Sequence, residues 1–309
     1  MLDAPGIALL NAIADASEGS LSAAVFFGSR SSRVATNAAS AYDFLLVSST
    51  PRAFYRAMHA KGLLGRAPGL LNWLDGWLAP TQIRLASGET IAKASVLSSE
   101  GLKRATSAAR RDQFLAGRLF QDVKIVWAKD EAAEADIRGA VRSARRITFD
   151  WVAPDLPPSF DAAAYVRQLF ATSFRFEIRP ETRGRANALF EAQAGALVPA
   201  FEEVLKDLHE SGELRRDSDT RFSLTSPVTA FARIRRRAFM EWSRIRATAR
   251  WPKHAVTFDG WLDYIVRKAE RHSGETIVLT PLERRLPFIF LWPRALGFLW
   301  RQRKGRRPV

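Results

Sequence analysis

The sequence predicts an α+β protein, and three observations carry that reading. Short apolar runs end abruptly at turn residues: "LSAAVFF" stops at Gly28-Ser29, and "YDFLLV" closes at Ser-Ser-Thr-Pro. Two alternating runs, "TQIRLAS" and "TIAKASVLS", flank a turn at Gly88-Glu89 as in a hairpin. Elsewhere apolar residues recur three and four apart, as from Leu189 to Leu208, which is helical spacing.

In chain order, Ile7 to Ala16 reads as a short amphipathic helix, then come the two buried strands and the hairpin. A helix is expected from about Ser99 to Arg118, followed by a strand at "VKIVWA". Ala132 to Ile147 and Ala162 to Ser173 read as helices, separated by the proline-broken "APDLPPSFD". "FRFEIR" alternates like a strand, and the Leu189–Leu208 helix contains Pro199, a possible bend. "GELRRDSDTRFSLTS" reads as a hairpin, so helix, helix and hairpin follow in the order of a winged-helix-like module, although any helix followed by a hairpin has the same signature. The expected division is a core at 1–130, a helical, winged-helix-like module at 131–225 and a basic C-terminal region at 226–309.

A chain of 309 residues can bury a sizeable core, and 47% apolar with 26% charged residues is ordinary for a globular protein. The absence of cysteine excludes disulfides, thiolate metal sites and a cysteine nucleophile, and fits a reducing compartment. The four histidines, His59, His209, His254 and His272, show no ligand spacing and read as surface residues. The net charge of +15 points to an anionic partner. That charge is local. "FARIRRRAFMEWSRIRATAR" has seven arginines and one glutamate, and the last 34 residues have eight Lys/Arg and one glutamate, together net +13. The N-terminus has neither the basic start of a secretory signal nor the acid-poor character of a transit peptide.

One stretch, "VFFGSRSSRVATNAASAYDFLLV", carries candidate chemistry. Nucleotidyl transfer needs backbone N–H groups and a small hydroxyl to hold a triphosphate, and carboxylates to hold Mg²⁺. Gly28 allows close backbone approach, Ser29 offers a hydroxyl at a helix start, Arg30 lies beside them, and Asp43 falls on the next strand. Alone, the same residues also describe a plain turn followed by an aspartate that caps a strand.

Three motifs in register extend the argument. "FFGSR…AYDFLLV", then "KASVLSSEGLKRATSAARRDQFLAGRLFQDVKIVWA", then "TSFRFEIRPE" resemble the Gly-Ser-Gly and Asp-Phe, Ala-Gly-Arg-Leu and Gly-Asp-x-Arg segments of the mitochondrial-type phosphatidate cytidylyltransferases, the translocator assembly and maintenance family. The likeness spans roughly residues 24 to 205. It implies a polymerase-β-like nucleotidyltransferase core and a Mg²⁺-dependent reaction of CTP with phosphatidic acid, giving CDP-diacylglycerol and pyrophosphate. It implies Asp43 and Glu177 as metal-binding, catalytic carboxylates, and Gly28, Ser29, Arg30, Lys93, Arg118 and Lys124 as nucleotide-binding residues. There are departures: Arg30 replaces the last glycine of Gly-Ser-Gly, Leu45 stands where a second strand carboxylate is usual, Glu177 replaces an aspartate, and Gln121-Asp122 follow Gly-Arg-Leu.

The C-terminal segment suits a lipid substrate. "LPFIFLWPRALGFLW" is apolar but short of a membrane span, interrupted by Pro287 and Pro293 and flanked by cations. Phe288, Phe290, Trp292, Phe298, Trp300, Arg301, Arg303 and Lys304 are therefore expected to meet an anionic membrane surface, where apolar groups enter the acyl boundary and cations meet headgroups. The alternative is a terminal helix packed on its own core. Together these features point to a peripheral, bacterial-type enzyme at the cytoplasmic face of a membrane. Two other readings remain open: a non-enzymatic nucleic-acid-binding protein, against which the charge gathers around an aromatic tail, and a polymerase-β-fold transferase with another nucleotide or acceptor.

Overall fold

The computed structural model describes residues 2–32, 41–176, 184–263, 266, 270 and 276–285. Residues 1–257 form one compact unit and 258–309 a second. The first unit begins with α1 (Ala4–Ala16), β1 (Leu21–Phe27), the single turn α2 (Ser29–Ser32) and β2 (Tyr42–Ser48). Next come α3 (Pro51–Ala60), α4 (Pro68–Leu78), the hairpin β3 (Thr81–Ser87) and β4 (Thr90–Ser98), α5 (Ser99–Ala105), α6 (Ala116–Leu119) and β5 (Lys124–Ala128). The helical part follows: α7 (Glu131–Ile147), α8 (Phe149–Val152), α9 (Ala162–Phe176) and α10 (Arg185–Glu210), then the small hairpin β6 (Leu214–Arg216) and β7 (Phe222–Leu224), and α11 (Ala230–Thr257). The second unit contains α12 (Pro281–Arg285).

The large sheet has the order β3-β4-β2-β1-β5. β2 and β4 run parallel, and every other pair is antiparallel. β1 and β2 are central and apolar on both faces, as their unbroken apolar runs require. Alternation divides their side chains between two cores. Phe26, Phe44, Leu46, Ala94 and Val96 pack under α1, α3 and α4. Val25, Leu45, Val47 and Leu97 face the opposite way, into the larger core built with α7, α9 and α10.

Most expected elements form close to their predicted bounds. In α10 the residues Leu189, Leu197, Phe201, Val204 and Leu208 are all buried, and the helix continues through Pro199. Two expectations fail. The helix predicted from Ser99 to Arg118 stops at Ala105 and resumes for one turn at Ala116. Between them, Asp112 accepts a hydrogen bond from the Phe114 N–H and turns its carboxylate to Arg246 and Arg250 of α11, a tertiary demand stronger than local helix propensity. In "FRFEIR", Phe174–Phe176 form the last turn of α9 instead of a strand, and the remainder lies outside the described residues. Helices α3 and α4 are additional to the sequence expectation, and each starts with a proline in its first turn. No helix among the described residues is long and apolar enough to cross a membrane.

Candidate functional site

At the end of β1 the chain turns at Gly28 with φ +86°, a conformation open to glycine and strained for other residues. The turn is held by the Ser31 N–H donating to the Gly28 carbonyl at 3.1 Å. Phe27 pairs directly with Asp43 of β2, so Gly28 lies against the Asp43 side chain. A Cβ at position 28 would overlap Asp43 Oδ2. Both the backbone angle and the close approach therefore require glycine.

Asp43 points to the larger-core face, at the edge where that face opens. Its neighbour across the parallel β2/β4 pairing is Lys93, with Nζ 3.9 Å from Oδ1. The two side chains are 27% and 32% exposed, respectively, so the pair stays within reach of solvent and ligand. Opposite Lys93 on β3 stands Arg84, on the same face.

A second group of cations gathers around the Phe114 ring. The Arg118 guanidinium lies 3.7 Å from its centroid and that of Arg250 4.5 Å, while the His254 ring is 6.5 Å away. Arg118 Nη1 also donates to the Phe114 carbonyl at 2.6 Å. Arg250 and Lys253 fix the end of α4, through Arg250 Nη2 to the Ala79 carbonyl and Lys253 Nζ to the Leu78 carbonyl, both at 2.9 Å. Thr257 Oγ1 donates to the Gln82 carbonyl, which holds the end of α11 along β3. Burial pushes the His254 pKa down, and the charges of Lys93, Lys253, Arg250 and Arg118 push it further, to about 3. His254 is thus a neutral imidazole within a cationic field, and burial likewise lowers Lys253 to about 8.

Of the sequence candidates, Gly28, Asp43 and Lys93 come together, and Arg118 joins through the charge it shares with Lys93 on His254. Arg30 does not join them. Its Nη1 lies 3.2 Å from Asp3, and its guanidinium stacks at 4.2 Å on Tyr42, whose ring belongs to the opposite core. Lys124 sits on the outer strand β5 and pairs with Asp122 at 2.8 Å. Ser29 opens α2, and its side chain, like Glu177 and all eight membrane candidates from Phe288 to Lys304, lies outside the described residues. The surface assignment fits His59 and His209, which are exposed and hydrogen-bonded through Nδ1 to the Leu64 and Leu214 carbonyls. It fails for His254, while His272 is outside the described residues.

Among the described residues no three carboxylates or imidazoles group as a metal centre. One open carboxylate with an ammonium beside it fits an ion that arrives already bound to phosphates better than a resident ion. Chemically, the arrangement offers a glycine turn, one accessible carboxylate and several fixed cations, a setting suited to polyanionic phosphates.

Fold and site together define an α+β protein with a mixed five-stranded sheet and one carboxylate among cations at its open edge. No protein-family model matches the chain, and no curated protein sequence matches it.

Proposed function

We propose that this protein is a nucleotidyltransferase of the phosphatidate cytidylyltransferase type, joining CTP and phosphatidic acid into CDP-diacylglycerol and releasing pyrophosphate. The observation that carries the reading is the Gly28 turn lying against Asp43 on the neighbouring strand, with Lys93 beside it. Strand, glycine turn, short helix and carboxylate-bearing strand are the order that a polymerase-β-like core uses. The α9–α10 pair followed by the β6–β7 hairpin, which Phe160 joins by pairing with Phe222, supports the winged-helix-like reading of the middle of the chain.

In this reading an oxygen of the lipid phosphate attacks the α-phosphorus of CTP. The new P–O bond forms as the bond from that phosphorus to the bridging oxygen breaks, and the electron pair leaves with pyrophosphate. The nucleophile is already an anion at neutral pH, so no strong general base is needed, and charge is the main obstacle. Lys93, Arg84 and Arg118 supply positive charge against the two anions. Asp43 would hold the Mg²⁺ that comes with the nucleotide, with Glu177 as the proposed second carboxylate. The lipid acceptor and the basic aromatic tail support a peripheral location on an anionic membrane surface, at the cytoplasmic face of a bacterial-type cell.

The test is pyrophosphate release from CTP by full-length protein with Mg²⁺ and phosphatidic acid in mixed micelles. Turnover that needs all three components and disappears in Asp43→Ala supports the proposal. No turnover by wild-type protein, together with equal CTP binding by Asp43→Ala, overturns it. A gel shift on duplex DNA at matched salt would favour the nucleic-acid reading instead.

A further inference from the structure

The outer face of α11 has a composition that packing among the described residues does not explain. Phe231, Ile234, Ala238, Trp242, Ile245 and Ala249 follow one another at intervals of three and four, which aligns them along one side of the helix. The four large members are 73%, 67%, 53% and 57% exposed, in chain order. From Phe231 to Ala249 the stripe is about 27 Å long. Scattered single apolar residues on a surface need no explanation, but a continuous stripe of this length does.

The helix cannot turn that stripe inward, because its other side is tied down. Met240 is fully buried in the larger core. Ser243 Oγ accepts from the Gln113 N–H at 2.9 Å, and Arg236 pairs with Asp155 at 2.5 Å. Arg246 and Arg250 both reach Asp112 at 2.8 Å. The arginines near the stripe are employed differently. Arg244 pairs with Glu241, whereas Arg235 and Arg237 are exposed and enter no ion pair among the described residues. By helical spacing Arg235, four residues from Phe231 and three from Ala238, borders one side of the stripe, and Arg237, three from Ile234, borders the other.

We propose that this face of α11 docks in the headgroup layer of an anionic lipid bilayer. The apolar stripe enters the acyl boundary, and the bordering arginines meet lipid phosphates. The pattern favours a bilayer over nucleic acid, because a phosphate backbone would use the arginines and leave the tryptophan and isoleucines in water. The inference goes beyond nucleotidyl transfer, since docking requires no catalysis. It is also separate from the basic tail after residue 285.

The chain has no cysteine, so one introduced thiol carries a unique label. Full-length Trp242→Cys bearing an environment-sensitive dye is mixed with vesicles of phosphatidylcholine, alone or with phosphatidic acid. Asp219→Cys, at the fully exposed tip of the β6–β7 hairpin, is the control. The expected result is a blue shift at position 242 with phosphatidic acid vesicles, and none at 219 or with phosphatidylcholine alone. Flotation of the Trp242→Glu/Ile245→Glu protein should fall on the order of tenfold or more, with an unchanged Tm. The Arg235→Ser/Arg237→Ser protein should lose much of the difference between the two vesicle types. The proposal is overturned if position 242 shows no shift while the protein floats, if the double glutamate variant floats as well as wild type, if the protein does not float, or if duplex DNA alone produces the shift. CTP plays no part in this assay, so its outcome is independent of the turnover test.

Discussion

Asp43 and Asp112 both face arginine or lysine, and they do so to opposite ends. Asp112 is 8% exposed and receives Arg246 and Arg250 at 2.8 Å, with Arg250 only 2% exposed. Asp43 is 27% exposed and has Lys93 at 3.9 Å, beyond a hydrogen bond. Burial alone would push the Asp112 carboxyl up, but the charge and hydrogen bond of Arg250, the hydrogen bond from Arg246 and that from the Phe114 N–H hold it below the usual carboxylate range. Asp112 has satisfied partners and nothing left to offer a ligand. Asp43 is positioned by a glycine turn and kept accessible. Proximity to cations thus marks both a structural and a candidate functional carboxylate, and what separates them is completeness of pairing.

Exchanging each aspartate is the strongest test of that difference. Asp43→Ala should reduce cytidylyl transfer by about a thousandfold, several kcal/mol of lost charge stabilisation, with Tm nearly unchanged. Asp112→Ala should do the reverse. Leaving Arg250 buried without its carboxylate should cost about 3–5 kcal/mol of stability, measured by urea unfolding. If Asp43→Ala unfolds the protein, or Asp112→Ala leaves it stable, the distinction collapses. Because the Asp112 pKa is depressed on folding, its contribution is present above the unfolded value of about 3.9 and is lost as pH falls through the folded value.

A smaller effect is expected at Gly28. Gly28→Ala forces a side chain into positive φ and into Asp43 Oδ2, so about 1–3 kcal/mol of stability should be lost. Turnover should fall as well, because the carboxylate must move. A variant that keeps wild-type turnover would show that the position of Asp43 is not critical.

The legibility of these features differs for a physical reason. β1, β2 and the β3–β4 hairpin were readable because alternation and apolar runs are local signals, and Gly28 and Asp43 belong to them. Arg84 was within reach too, since alternation in "TQIRLAS" puts it on one face with Gln82. The break at 106–115 was not readable, because Asp112 finds Arg246 and Arg250 at separations of 134 and 138 residues. His254 was missed for the same reason. A lone histidine near a chain's basic end carries no sign that Phe114 and Lys93 will surround it.

His254 provides the finest probe of the open site, because its titration reports the surrounding charge. Its folded pKa of about 3 lies below the ordinary 6.5, so between those values the unfolded chain binds the extra proton. Stability from this group is therefore complete above pH 6.5 and is lost as pH falls, at about 1.4 kcal/mol per pH unit within the window. His254→Leu should flatten that slope between pH 6 and pH 4, above the range where Asp112 begins to titrate. After burial, Lys93 is the largest contributor to the depression, so Lys93→Met should raise the imidazole pKa in an NMR titration. A bound triphosphate should do the same by offsetting Lys93 and Arg118. If CTP binds and the His254 pKa does not rise, the triphosphate lies elsewhere, and Asp43, however open, is not facing the nucleotide.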